Sequence, residues 1–150
     1  VSGRIEGLEE TLQAFARLGT AGKKEGAKAI AATAQKVRTD AIKSIQRGTK
    51  TGLVYTRGPG QNLSPTHQSS APGQAPATDT GNLVSSIKAE SKDLSGRVYS
   101  DIKYAFWLEF GTVKMRPRPY LNPALMSNQK YFVNQLQRAI DKATREFNRS

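Results

Sequence analysis

The chain has 150 residues, 37% of them hydrophobic, and a mean hydropathy of −0.56, which suits one domain with a modest core. It has no cysteine, which excludes disulfides, thiolate metal sites and cysteine nucleophiles, and no apolar run approaches the roughly 20 residues that span a bilayer. Its net charge of +11 admits nucleic acid, membrane surfaces or acidic protein faces as partners, but the cations are spread: Lys and Arg outnumber Asp and Glu by 10 to 5 in residues 1–50, 4 to 3 in 51–100 and 9 to 4 in 101–150.

In chain order, Ile5, Leu8, Leu12 and Phe15 repeat at helical spacing, with Glu6, Glu9 and Glu10 early and Arg17 late, as a helix dipole favours. Gly19 and Gly22 are expected to break the pattern. A longer helix then runs from about Lys23 to Gln46, with the narrow face Ala27, Ile30, Ala31, Ala34, Val37, Ala41 and Ile45. Small side chains let another backbone approach, so this helix is expected against a sheet or a neighbouring subunit.

Residues 48–82 are rich in Gly, Pro, Ser and Thr and carry only Lys50, Arg57 and Asp79 as charges. Loops this long are uncommon in compact domains and tend to be functional or disordered. Gly52–Arg57 and Pro65–Ser70 read as the two sides of a long extended hairpin with Gly58-Pro59-Gly60 near its tip. A lone two-stranded arm is marginal in water. The arm is therefore expected to order against a partner during assembly. Asn82–Glu90 and Gly96–Ile102 read as half-buried strands around the turn Lys92–Ser95.

Tyr104–Phe110 reads as a short helix, with Tyr104, Trp107 and Leu108 at core-like spacing and Gly111 as its stop. Arg116-Pro117-Arg118-Pro119 cannot be helical, because each Pro fixes its own φ and extends the residue before it. Pro123 suits the first turn of a final helix running to about Phe147, with Leu125, Phe132, Leu136, Ile140, Ala143 and Phe147 on one face. The fold class expected is α+β: a small antiparallel sheet covered by amphipathic helices, with a long extended arm, in a single domain of residues 1–150.

Chemistry is sparse. His67 stands alone in the arm, no His/Glu pair has metal spacing, and Gly58-Pro59-Gly60 lacks the lysine of a phosphate loop. No catalytic, cofactor or metal residue is assigned, and no enzyme activity is expected. Glu109 is expected to pair with Arg116 or Arg118, in its own subunit or the next. Arginines beside Tyr104, Trp107 and Tyr120 could stack bases, but Tyr, Trp and Arg are equally the anchors of protein interfaces.

Three groups of residues carry a family resemblance. Tyr104-Ala105, Leu108–Thr112, Arg118–Leu121 and Pro123–Leu125 form the first. His67–Gly73, Pro76–Leu83 and Ser86-Ile87 form the second, and Ile5–Leu8 the third. Together they resemble a tail-component family of long-tailed, HK97-like bacteriophages. Tyr120 stands where that family usually has Phe, and Asn122 where Arg is frequent. The resemblance implies a structural virion protein made in the bacterial host cytoplasm, with neither cofactor nor catalysis. It implies a homo-oligomeric ring of six or twelve copies in the neck, joining the head or portal side to the tail and completing the tail. Neighbouring connector and tail-tube or tail-terminator proteins are its expected partners, genomic DNA passes through the lumen, and no membrane partner is expected. The residues expected at subunit and assembly contacts are Leu53, Tyr55, Arg57, His67, Asp79, Tyr104, Trp107, Glu109, Phe110, Arg116, Arg118 and Tyr120. The rival reading is a basic protein bound to the phage genome through surface Lys and Arg.

Overall fold

The computed structural model describes residues 8–56, 58 and 66–149. In chain order the elements are α1 (Leu8–Arg17), α2 (Gly19–Gln46), β1 (Val54–Thr56), β2 (Thr66–Gln68), α3 (Asn82–Ser86), β3 (Ile87–Lys92), β4 (Ser95–Ser100), α4 (Lys103–Phe110), α5 (Leu121–Ser127) and α6 (Gln129–Phe147). This is an α+β chain. Its described strands form two separate two-stranded sheets, β1–β2 and β3–β4. The chain divides into two compact units. One comprises the described residues up to Val37, Ala89–Val98 and Leu125 onward; the other comprises Arg38–Lys88 and Tyr99–Ala124.

In the first unit, Phe15 of α1 is fully buried with Ala29 of α2 and Leu136 and Ala139 of α6, and Leu94, Phe132 and Ile140 close around them. Burying a side chain of that size contributes about 2–3 kcal/mol. Gly19, at φ 58°, reverses the chain after α1. Gly22 does not break α2, contrary to the sequence expectation. A Cβ there would lie 2.4 Å from the Phe15 carbonyl oxygen, so the bare glycine lets the first turn of α2 press on the end of α1. The small face of α2 meets the β3–β4 hairpin in the same way. A Cβ on Gly26 would stand 2.8 Å from a Leu94 methyl, and one on Gly96 would stand 2.8 Å from Ile30. The two-residue turn Asp93-Leu94 joins the strands, with Asp93 at φ 53°.

The single C-terminal helix expected from Pro123 to Phe147 is interrupted at Asn128. This buried residue donates its N–H to the Leu125 carbonyl and accepts from the Phe132 N–H. Asparagine offers the backbone such alternatives and so favours helix ends over interiors. Leu125 and Phe147, expected on the core face, are exposed. Two contacts set α2 antiparallel to α6. The buried Glu25 carboxylate accepts from Lys28 at 2.7 Å and from Lys142 at 3.1 Å, and the Lys36 ammonium lies 5.6 Å from the Tyr131 ring centre.

The second unit has a buried set of its own. Ala41 and Ile45 of α2, Leu83, Ile87, Ala105, Tyr120 and Ala124 are the buried apolar residues among those described in it. Arg38 donates from Nε to the Ile87 carbonyl at 2.8 Å. Asn82–Ser86, expected as strand, is a helical turn. Thr80 Oγ1 accepts the Asn82 N–H, and the hydroxyls of Ser85 and Ser86 donate back to the carbonyls of Asn82 and Leu83. Leu83 and Ile87 are spaced i, i+4, so they satisfy a helical pattern as well as an alternating one. β1 and β2 pair antiparallel in the register Val54↔Gln68, Tyr55↔His67 and Thr56↔Thr66. These are three-residue strands, and a long extended arm is not established. Of its expected tip, Pro59 and Gly60 lie outside the described residues, as does Arg57.

The Lys28 hydrogen bond, with help from Lys142 and against a burial cost, holds the Glu25 carboxyl below its ordinary range. A depressed carboxylate contributes stability above its unfolded-state pKa and loses it as pH falls through the folded value. The lysine ends are more than half exposed. Glu25→Gln is therefore expected to cost about 1 kcal/mol at neutral pH. In denaturant titrations the gap to the unsubstituted protein should narrow as pH falls below about 4.5.

Candidate assembly interface

The centre of this region is a buried carboxylate. Glu109, 7% exposed, lies in the last turn of α4. Its Oε2 accepts the N–H groups of Tyr120 at 2.9 Å and Leu121 at 3.0 Å, and its Oε1 accepts that of Asn122 at 2.8 Å. These are among the donors that the start of α5 leaves without partners inside the helix. The carboxylate therefore caps α5 from a distance, where the helix dipole also favours negative charge.

The chain between the two helices is shaped to deliver them to each other. Gly111 ends α4 at φ 76° and ψ −178°, a region essentially confined to glycine. A Cβ there would meet the Met115 carbonyl oxygen at 2.7 Å. Thr112–Met115 makes a tight turn, with the Thr112 N–H donating to the Met115 carbonyl at 2.7 Å. Arg116–Pro119 then runs back, and the Arg118 N–H donates to the Leu108 carbonyl at 2.6 Å. The Arg118 side chain donates from Nε to the Ser70 carbonyl at 3.2 Å, and the Gly73 N–H donates to the Pro117 carbonyl. So the expected pairing of Glu109 with Arg116 or Arg118 within the chain does not form. Three converging backbone donors satisfy a buried carboxylate more completely than one guanidinium, and Arg116 is exposed.

Turning Ala105 and Glu109 inward turns the aromatic residues of α4 outward. Phe106 is 62% exposed, Trp107 49% and Phe110 56%, and Tyr104 is also exposed. The core-like spacing of Tyr104 and Trp107 is thus misleading, since their side of the helix faces away from the buried one. Phe106 and Phe110 sit i, i+4 with ring centres 4.8 Å apart. Phe106 was missed by the sequence reading, although its spacing from Phe110 was a visible signal. Val113, just beyond the helix, is also fully exposed.

Beside this face is a cavity of about 350 Å³, lined among others by Ile45, His67, Ser70, Asp79, Tyr104, Leu108 and Arg118. His67 Nδ1 stands 3.4 Å from Asp79 Oδ1. Burial, and then the charge of Asp79, raise the Tyr104 phenol above its ordinary range. The structure thus gathers His67, Asp79, Tyr104 and Arg118 around one cavity. Trp107 and Phe110 lie on the same short helix as Tyr104, while Leu53 and Tyr55 are exposed on and next to β1. Tyr120 is only 1% exposed and belongs to the core. Burial, then the charge of Glu109, push its phenol up, and among the described residues its hydroxyl has no hydrogen-bond partner. No three His, Asp or Glu side chains among the described residues lie close enough together to hold a metal ion. No helix among them is long and apolar enough to cross a membrane.

Two substitutions test this geometry. Glu109→Gln keeps the shape but replaces one acceptor oxygen by a donor facing a backbone N–H, so chemical denaturation should show a loss of about 2 kcal/mol. Tyr120→Phe removes a buried hydroxyl that satisfies nothing, so thermal unfolding should show unchanged stability or a gain of about 1 kcal/mol.

Residues 8–111 match the family HK97-gp10-like, described as a bacteriophage tail component. Searches of curated proteins and of solved structures found no significant match. The family match covers more than half of the 150 residues and includes Glu109, Gly111 and the aromatic face of α4. The chain belongs to this family of bacteriophage tail components.

Proposed function

We propose that this tail component is a structural subunit of the phage neck, assembling as a homo-oligomeric ring that joins the head side to the tail and completes the tail. The observation that carries this reading is the aromatic face of α4. Phe106, Trp107 and Phe110 stand about half exposed or more on one short helix, next to the exposed Val113. Contiguous apolar surface of this kind is uncommon on a protein that works alone. Aromatic side chains beside arginine are what buried interface centres are made of.

A ring needs two different patches that fit each other, so that each copy meets the next in the same way. The α4 face is one. The β1–β2 hairpin, with exposed Leu53, Val54 and Tyr55, supplies a second surface of unlike shape. The cavity around His67, Asp79 and Arg118 gives the neighbouring copy or an adjoining tail protein a polar site to register against. On this reading α4 is held rigidly by Glu109 so that its aromatic side is presented in one orientation.

The double substitution Phe106→Ser and Phe110→Ser tests the proposal. Both side chains are mostly in water, so thermal stability of the isolated chain should change little. Complementation of a phage lacking this protein should fall by at least about tenfold, with heads and tails accumulating unjoined in electron micrographs. Normal titre and normal necks with this variant would overturn the reading.

A further inference from the structure

A second surface, in the other unit, has different chemistry. On α6, Arg138, Lys142 and Arg145 follow one another at i, i+4 and i+7, and all are exposed. Arg149 comes four residues later, on the turn that follows the helix, where Asn148 keeps right-handed helical backbone. Leu136, Ala139 and Ala143 occupy the buried side. The cations therefore form a row on the solvent side, with a spacing of about 5–6 Å and a length of about 16 Å. Glu25, by accepting from both Lys28 and Lys142, brings Lys28 of α2 beside the row, and Lys24 lies one turn before Lys28 on the same helix. The carboxylates in the neighbourhood are Glu25, Asp141 and Glu146. Glu25 is buried, and Asp141 accepts a hydrogen bond from Gln137 at 3.0 Å. Six cations thus face three carboxylates.

We infer that this row binds the phosphate backbone of duplex nucleic acid without reading its sequence. More copies of the chain bring no net counter-charge. Each has 23 Lys and Arg against 12 Asp and Glu, so assembly only accumulates positive charge. No aromatic or aliphatic residue stands within the row, whereas the centre of a protein-binding surface sets its arginines among such anchors. Duplex DNA presents one negative charge per about 1.7 Å of axis, more than enough to match every cation over this length. Phosphate contacts of this kind position a protein on the duplex and carry no sequence information. The inference stands apart from ring formation, which depends on α4, so either can fail alone.

The test measures binding of the full chain to a short mixed-sequence duplex by fluorescence anisotropy across a salt series. The variant carries Arg138→Gln, Arg145→Gln and Arg149→Gln, leaving Lys142 to hold Glu25. Its log–log salt slope should be shallower by about three and its low-salt affinity at least about tenfold weaker. A control with Lys43→Gln, Lys103→Gln and Lys114→Gln removes the same charge from exposed positions of the other unit, and should change the slope by less than about one. Equal effects of the two triples would reduce the row to general surface charge and overturn the inference. So would absence of duplex binding at low salt. Polyglutamate bound more tightly than the duplex, with the same loss in the Arg variant, would overturn it in favour of an acidic protein partner. Should the triple variant unfold, the pair Arg145→Gln and Arg149→Gln at the helix end carries the same comparison, with a slope change of about two.

Discussion

A single buried carboxylate sets the second unit's geometry. An ionised carboxylate taken out of water costs several kcal/mol unless it is fully hydrogen-bonded. Glu109 meets that demand with three backbone N–H groups at the start of α5. That contact can form only if α4 ends sharply and the chain returns along it. Gly111 provides the end, in a backbone region other residues avoid, and Pro117 and Pro119 keep the return extended. The sequence Glu109-Phe110-Gly111-Thr112 thus reads as four physical assignments: carboxylate inward, ring outward, reversal, tight turn. Holding Glu109 inward is also what leaves the rings of Phe106, Trp107 and Phe110 in solvent.

Within each unit the packing is of a different kind. The first relies on close approach. Gly22, Gly26 and Gly96 each sit where a Cβ would collide, so a mostly alanine helix can bury Phe15 and Leu136 with few large side chains. The second relies on polar contacts among loops. One side-chain oxygen, that of Gln74, accepts from the hydroxyls of Thr49 and Thr51 and from the Ala71 N–H. Gly52 lies against the Ser70 carbonyl with no room for a side chain. A Pro- and Gly-rich segment can be ordered this way without a large apolar core, because its backbone groups find partners locally. The surfaces differ accordingly: aromatic on α4, cationic on α6.

Much of the secondary structure was legible in the residues. The amphipathic α1, the helical character of α2 and α6, the short α4 with its glycine stop, and the pairing of two short strands around residues 54–68 follow from spacing and turn chemistry. The misreadings share a cause. Leu83 and Ile87 satisfy both periods, so local pattern could not tell a helical turn from a strand. Gly22 looked like a breaker because its role is set by Phe15, seven residues earlier. Asn128 looked like an interior helix residue because periodicity runs through it undisturbed.

By itself the sequence determined the α+β class, the positive charge, the absence of cysteine chemistry and the motifs that mark a phage tail component. These are properties of composition, of short-range spacing and of residues whose backbone preferences act locally. Only the tertiary structure decided which side of α4 is buried, since both sides carry large or polar residues and the choice turns on Glu109 finding donors a dozen residues away. It likewise decided that the cations of α6 line up in the open, because which side of that helix is free depends on where α1 and α2 press against it.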